Sequence, residues 1–285
     1  MPSSNGGTGS LLDPVNDRLG SAPASGEPMS ASVLPQLAHA EEIAWDKTIA
    51  QLRGVYGFDS IDPRSRSFNL IRSKLLELQR ERKWRMIGVV SATPNVGKSF
   101  IAGNVAASLS RDPRAQTYLV DLDLRRGSVA ELFGIQAPAS LRDFLEESSE
   151  VTTPPATRLA GQSLVILPTN AGMVHSAELL AGRRAQDLFQ AMRSSADRNY
   201  FIIDLPPVFA NDDASLIMSK LDAYVLVAEE GRTTQRELSD AVSLLGEARL
   251  AGVILNKYRG GLVSEGYGAD DYYAAGYYVA DHSAT

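Results

Sequence analysis

The stretch "MIGVVSATPNVGKSF" (residues 86–100) decides the fold, because a short apolar run leads through a loop directly into a helix-forming segment. In the loop, Ala92 is followed by four residues and then by Gly97, Lys98 and Ser99. This spacing matches the phosphate-binding loop pattern, with alanine in place of its first glycine. The stretch therefore predicts a site for a nucleoside triphosphate.

Each part of this loop has a predicted task. The backbone N–H groups at the helix start bind phosphates, Lys98 reaches the β- and γ-phosphates, and the Ser99 hydroxyl binds Mg²⁺. The predicted nucleotide-binding residues of the loop are Thr93, Pro94, Asn95, Val96, Gly97, Lys98, Ser99 and Phe100.

Short Val/Ile/Leu-rich runs alternate with longer amphipathic segments after residue 85. This alternation is typical of a parallel sheet covered on both faces. The predicted class is α/β, a P-loop NTPase fold with a mostly parallel sheet and helices on both faces. The predicted strands are "MIGVVSA", "TYLVDLD", "SLVILPT", "YFIIDLP", "AYVLVAEE" and "AGVILN", and the predicted helices are "KSFIAGNVAASLS", "SAELLAGRRAQDLFQAMRSS" and "TTQRELSDAVSLLGEA".

Aspartates stand at the carboxyl ends of two of these strands. Asp121 and Asp123 end "YLVDLD", with Arg125 behind them, and Asp204 ends "YFIID". Side chains at i and i+2 share one side of a strand, so the paired carboxylates converge and need a cation nearby. A lysine and Mg²⁺ supply that cation, and Asp204 has the placement of a residue that holds the metal through water. A solvated acidic strand end is the alternative for the pair.

Composition excludes several function classes. A net charge of −6 argues against a general affinity for nucleic acid or anionic lipid. Cysteine is absent and the three histidines are far apart, which argues against a disulfide framework or a zinc site. No apolar run reaches membrane-spanning length and the first residues lack a secretion signal, so we expect a cytoplasmic protein.

The sequence divides into four predicted parts. Residues 1–40 have the composition of a disordered arm, and residues 41–84 contain two amphipathic helices, "EEIAWDKTIAQLRGVYGF" and "RSFNLIRSKLLELQRERKW", for packing or subunit contact. Residues 85–257 form the P-loop ATPase or kinase domain, and residues 258–285 form a flexible tail. That tail carries Tyr267, Tyr272, Tyr273, Tyr277 and Tyr278.

Taken in order, "ATPNVGKS", "YLVDLDLR", "FIIDLPPV" and the tyrosine-rich tail resemble the bacterial tyrosine kinases of capsule and exopolysaccharide biosynthesis. The resemblance covers about residues 64–285 and is closest to the separate cytoplasmic type. It implies transfer of the ATP γ-phosphate, with Mg²⁺, to tail tyrosines of a neighbouring subunit. It also implies activation by a membrane-anchored polysaccharide co-polymerase, which would recruit the kinase to the inner face of the membrane.

The resemblance assigns roles to the site residues. Lys98 clamps the phosphates, Ser99 and Asp123 hold the metal, Asp204 positions the metal's water, and Asp121 accepts the tyrosine proton. The five tail tyrosines are the phosphoacceptors. Asn256 either binds the adenine edge or caps a turn.

One motif departs from the family. The ring contact of the family resembles Glu-x-x-Arg-x-x-Arg, whereas this chain has Arg66, Asn69 and Arg72 at those positions. Only the last position matches, so ring assembly of the familiar kind is in doubt.

Two other functions compete with a kinase. A ParA/MinD-type ATPase would carry an extra lysine at position 93, where this chain has Thr93, and division-site members carry a basic amphipathic helix in the tail. A non-catalytic ATP-binding scaffold of an export complex would not need the full set of lysine, serine and aspartates.

Overall fold

The computed structural model describes residues 34, 40–136, 139–172 and 175–258. The predicted arm at residues 1–40 lies outside this part of the chain apart from residues 34 and 40. The five tail tyrosines also lie outside it. The predicted disorder and flexibility therefore stay predictions.

All six predicted strands are confirmed, and two short ones join them in an eight-stranded sheet of the described residues. The strands follow from their composition, since the six predicted ones are β-branched and aliphatic runs, and all of them except the edge strand β8 are buried. Their bounds are β1 Glu41–Ile43, β2 Met86–Ser91, β3 Thr117–Asp121, β4 Thr157–Leu159, β5 Leu164–Leu167, β6 Tyr200–Asp204, β7 Ala223–Glu229 and β8 Leu250–Asn256.

The strand order is β1-β4-β5-β3-β6-β2-β7-β8, and every neighbouring pair is parallel except β4 with β5. This order makes β6 the neighbour of both β2 and β3. Asp121 lies directly opposite Asp204 in the register of β3 and β6. The carboxyl ends that carry the predicted loop and aspartates therefore meet at one edge of the sheet.

Helices cover both faces of the sheet, as predicted. Apolar side chains of α2 and α3 pack against one face, and those of α5, α7, α8 and α9 pack against the other. The helix bounds are α1 Lys47–Leu52, α2 Arg66–Arg82, α3 Lys98–Leu109, α4 Ser128–Phe133, α5 Leu141–Leu145, α6 Ser176–Ala181, α7 Arg183–Ser194, α8 Asp213–Met218 and α9 Gln235–Leu245.

Two helix predictions need correction. The segment at 41–58 is not one amphipathic helix: its first residues form β1, which pairs with β4, and only six later residues form α1. The segment at 176–195 divides into α6 and α7 because Gly182 is extended, with ψ of 168°. The second helix predicted before the main fold is confirmed as α2.

Asn104, a buried side chain of α3, hydrogen-bonds the segment before α2. Asn104 Oδ1 accepts the N–H groups of Tyr56 and Gly57 at 2.7 and 3.0 Å. Its Nδ2 donates to the Gly54 carbonyl at 2.9 Å. A Cβ on Gly57 would lie 2.1 Å from the Asn104 carbonyl oxygen, so only glycine allows this approach. The proposed division between residues 41–84 and 85–257 stays a prediction.

Candidate nucleotide site

The loop at residues 92–97 lies between β2 and α3, where the sequence predicted it. Helix α3 begins at Lys98, so the N–H groups of its first turn have no acceptor within the helix. Gly97 has φ of +93°, a conformation that favours glycine. The loop therefore presents backbone donors and a helix N-terminus to the carboxyl edge of the sheet, as phosphate binding requires.

Side chains from β8 and from the segment that follows it hold this loop. Asn256 Nδ2 donates to the Val96 carbonyl at 2.7 Å, and a Cβ on Gly97 would lie 2.2 Å from that nitrogen. Lys257 Nζ donates to the Asn95 carbonyl at 2.9 Å. Asn256 thus supports the loop itself, and the predicted contact with adenine stays a prediction.

Lys98 lies among the strand-end carboxylates. Its Nζ donates to Asp123 Oδ2 at 2.6 Å and lies 3.8 Å from Asp204 Oδ1, and its side chain is only 7% exposed. Burial would lower the pKa of Lys98, but the charges of Asp204 and Asp123 outweigh burial and raise it above its usual value. Lys98 is therefore a fixed cation at the centre of the site.

Asp204 is the least satisfied polar group of the site. It is fully buried, and neither of its carboxylate oxygens forms a hydrogen bond with a described residue. Burial raises its pKa, and the charge of Lys98, followed by the nearby Ser99 hydroxyl, opposes that rise. A buried carboxylate whose oxygens accept no hydrogen bond, next to a lysine, matches the oxygen groups that hold a hydrated Mg²⁺. The residues present therefore fit a magnesium-bound nucleotide.

Asp121 has a different environment from Asp123. Asp121 is fully buried, and its two oxygens accept the backbone N–H groups of Asp123 and Val129 at 3.2 and 3.1 Å. Burial, followed by the charge of Asp204, holds the pKa of Asp121 well above its usual value. Asp121 is therefore held by backbone N–H groups and has a raised pKa, whereas Asp123 is held by the ammonium group of Lys98.

Ser99 and its neighbours border an open cleft. The Ser128 hydroxyl, at the start of α4, donates to Ser99 Oγ at 2.7 Å. The cleft has a volume of about 420 Å³. Its lining includes two cations besides Lys98, and the lining residues that concern the site are Arg53, Asn95, Gly97, Ser99, Phe100, Arg126 and Ser128.

The structure brings the predicted loop residues and the three aspartates together. Asn69 of the altered ring motif is used within the chain, since its Oδ1 accepts a hydrogen bond from Arg111 Nη2 at 2.7 Å. Sequence reasoning missed Ser128 and Asn104. Only Asn104 had a signal, because a polar residue interrupts the apolar run "FIAGNVAA" on a helix.

A family model for ParA, described as the NUBPL iron-transfer P-loop NTPase, matches residues 83–257, which is more than half of the chain. The chain belongs to the ParA family of P-loop NTPases. This family binds nucleotides, and its match covers the loop, all three aspartates and Asn256. It therefore confirms the predicted fold class.

Relatives within this family include tyrosine kinases, which confirms the resemblance drawn from the sequence. Tyrosine-protein kinase YwqD of Bacillus subtilis is 27% identical over 195 residues, 67% of this chain and 80% of the relative. The succinoglycan biosynthesis transport protein ExoP of Rhizobium meliloti is 32% identical over 181 residues, 61% of this chain and 22% of the relative. The chain spans only about a quarter of the length of several such relatives.

Among solved structures, the BceF tyrosine kinase domain superposes with a TM-score of 0.58 at 26% identity, covering 69% of this chain and 79% of that one. In the part of the chain that the structure describes, no helix is both long and apolar enough to cross a membrane.

Proposed function

We propose that this P-loop protein is an ATP- and Mg²⁺-dependent protein-tyrosine autokinase. One observation carries the proposal. Buried Lys98, the first residue of α3, binds Asp123 and lies beside Asp204. The carboxylate oxygens of Asp204 accept no hydrogen bond from the described residues. Relatives named as tyrosine kinases match about two thirds of this chain.

The site residues divide the work of phosphoryl transfer. Lys98 and the loop N–H groups bind the phosphates, and Ser99, Asp123 and Asp204 hold the hydrated metal. Bound ATP with Mg²⁺ supplies an electrophilic γ-phosphoryl group. The tyrosine oxygen bonds to the γ-phosphorus as the bond to the bridging oxygen of ADP breaks, and the phenolic proton passes to a carboxylate.

Asp121 is the proposed proton acceptor. Burial raises its pKa, and proton transfer is most effective when the pKa of the acceptor approaches the working pH. Its oxygens are already bound to backbone N–H groups, so we expect the role to require a small rearrangement when substrate enters.

The proposed substrates are the five tail tyrosines of a second copy. By analogy with ExoP, named for succinoglycan biosynthesis, we propose a regulatory role in exopolysaccharide or capsule polymerisation and export. The proposed activator is a membrane-anchored co-polymerase that recruits this chain to the inner face of the membrane.

The test is incubation of the purified chain with ATP and Mg²⁺, followed by mapping of phosphate by mass spectrometry. We expect label on one or more of the five tail tyrosines, and none with Lys98→Met. To test transfer between copies, active chain is mixed with a Lys98→Met acceptor of different mass. Absence of label on every tail tyrosine, even with the cytoplasmic segment of the membrane partner present, contradicts the proposal.

The same assay separates the two alternatives. Release of inorganic phosphate from ATP without tyrosine label would identify a ParA/MinD-type ATPase. Nucleotide binding without either product would identify a scaffold. Thr93, at the position where that ATPase type carries an additional lysine, favours the kinase.

A further inference from the structure

A buried network beside the nucleotide site holds one arginine in a fixed orientation. Arg125 Nε donates to Ser176 Oγ at 3.1 Å, and the Ser176 hydroxyl donates to Asp213 Oδ2 at 2.6 Å. Ser176 and Asp213 are fully buried, whereas the Arg125 side chain is 45% exposed. The serine hydroxyl thus links a buried carboxylate to a half-exposed guanidinium.

The network leaves most of the guanidinium available. Arg125 Nε also lies 3.7 Å from Asp213 Oδ2, which completes an ion pair. A guanidinium has five N–H donors, and only the one on Nε is used by this network. Its two terminal nitrogens form no hydrogen bond with the residues that the structure describes. Two parallel donors of this kind match a carboxylate or phosphate group.

Arg125 lies close in sequence to the strand edge that carries the site. Arg125 follows Asp123 by two residues, and its carbonyl accepts the Gly172 N–H at 3.4 Å. Burial raises the pKa of Asp213, and the charge of Asp123 adds to that rise, so the network lies within electrostatic range of the site. Burying the carboxylate of Asp213 costs free energy. Its effect here is to restrain the flexible side chain of Arg125, which forms no hydrogen bond with the described residues of the nucleotide site.

The tail sequence contains a matching anion. Asp270 and Asp271 immediately precede Tyr272 and Tyr273. Neighbouring Cα atoms are about 3.8 Å apart, so a carboxylate one or two positions from an acceptor tyrosine lies within about 8 Å along the chain.

We propose that Arg125, oriented by Ser176 and Asp213, binds the carboxylate of an aspartate next to the acceptor tyrosine and thereby selects acidic tyrosine segments as substrates. The proposal rests on the proposed kinase function. Arg125 contacts the substrate, whereas Ser176 and Asp213 are positioning residues.

The test uses the full chain and three synthetic peptides of the sequence at residues 265–276. One peptide is unmodified, one carries Asp270→Asn and Asp271→Asn, and one carries both substitutions with a phosphate on Tyr272. Peptide Kd is measured with a non-hydrolysable ATP analogue and Mg²⁺, and phosphorylation is measured separately with ATP. Wild-type chain is compared with Arg125→Gln, Arg125→Lys and Asp213→Asn.

We expect the asparagine peptide to bind wild-type chain about tenfold or more weakly than the unmodified one. Arg125→Gln should bind both equally weakly, raising KM for the unmodified peptide while kcat and the KM for ATP stay the same. Arg125→Lys keeps the positive charge without the two parallel N–H donors, so it should retain only part of the Kd difference between the two peptides. Asp213→Asn should also make this Kd difference smaller. Arg236→Gln, at a 91% exposed side chain on α9, is the matched control and should change nothing.

Three results overturn the inference. In the first, Arg125→Gln weakens binding of both peptides by the same factor, which indicates a structural role. In the second, Arg125→Gln leaves the affinity for each peptide unchanged. Dependence on Arg125 only for the phosphorylated peptide would mean that the residue binds phosphate instead of carboxylate. If peptides bind with the expected dependence but no tyrosine is labelled, the proposed kinase function fails and this binding inference stands.

Discussion

Lys98 Nζ lies 2.6 Å from Asp123 Oδ2, and both side chains are at least 93% buried. Lys98 also compensates Asp204 on the adjacent strand. This ammonium group is therefore the counter-ion of the carboxylates at this strand edge.

Removing that counter-ion should destabilise the protein in a pH-dependent way. Burial raises the pKa of Asp121 and Asp204 in the folded state, and loss of Lys98 raises both further. A raised folded pKa means that the folded state binds protons more tightly than the unfolded state. The stabilisation from this protonation is complete below the usual pKa of 3.8 and is lost as pH rises through the folded pKa.

We therefore expect Lys98→Met to lower the free energy of unfolding by about 3 kcal/mol at pH 8 and by less at pH 5. Urea denaturation at both pH values measures the difference. Lys47→Met is the matched control, because Lys47 pairs with Asp59 at the surface and its loss should change the stability little at either pH. Equal losses at the two pH values for Lys98→Met would contradict the argument.

Gly97→Ala should abolish nucleotide binding. The new Cβ would lie 2.2 Å from Asn256 Nδ2 at a φ of +93°, so the loop or Asn256 must move. Gly161→Ala is the control, since Gly161 has φ of +74° with nothing within 4 Å of a Cβ. Titration with a fluorescent ATP analogue should show binding only for Gly161→Ala, and unfolding should show about 1 kcal/mol of backbone strain in both.

Features that depend on residues close together in the sequence were predicted, whereas features that depend on contacts between distant residues were not. The loop, α3 and the six core strands were predicted because local patterns specify them. The first predicted helix was wrong because Glu41–Ile43 pairs with Thr157–Leu159, a contact across more than 100 residues that periodicity cannot reveal. The Arg125, Ser176 and Asp213 network was missed for the same reason, since a loop and the first residues of two helices distant in sequence supply its members.

Asn256→Ala tests whether this side chain recognises adenine or only supports the loop. Its Nδ2 is bound to the Val96 carbonyl, so its Oδ1 is the atom that could accept the adenine amino group. We expect ATP affinity to fall about tenfold and GTP affinity to fall less, because guanine has a carbonyl at that position. Calorimetric titration with both nucleotides measures this, and equal losses would assign Asn256 to loop support alone.

Asn104→Ala should release the segment before α2 from the domain. The substitution removes the acceptor for the buried Gly57 N–H and for the Tyr56 N–H, at a cost of about 2 kcal/mol or more. Hydrogen exchange should therefore accelerate at Tyr56 and Gly57, and also through α1, while β2 and β6 stay protected. Asn69→Ala is the control, because Asn69 hydrogen-bonds Ser60 and Arg111 but no backbone group at residues 54–57, and it should leave α1 protected. Uniform acceleration across the sheet would mean that Asn104 supports the whole domain and that the segment has no separate attachment.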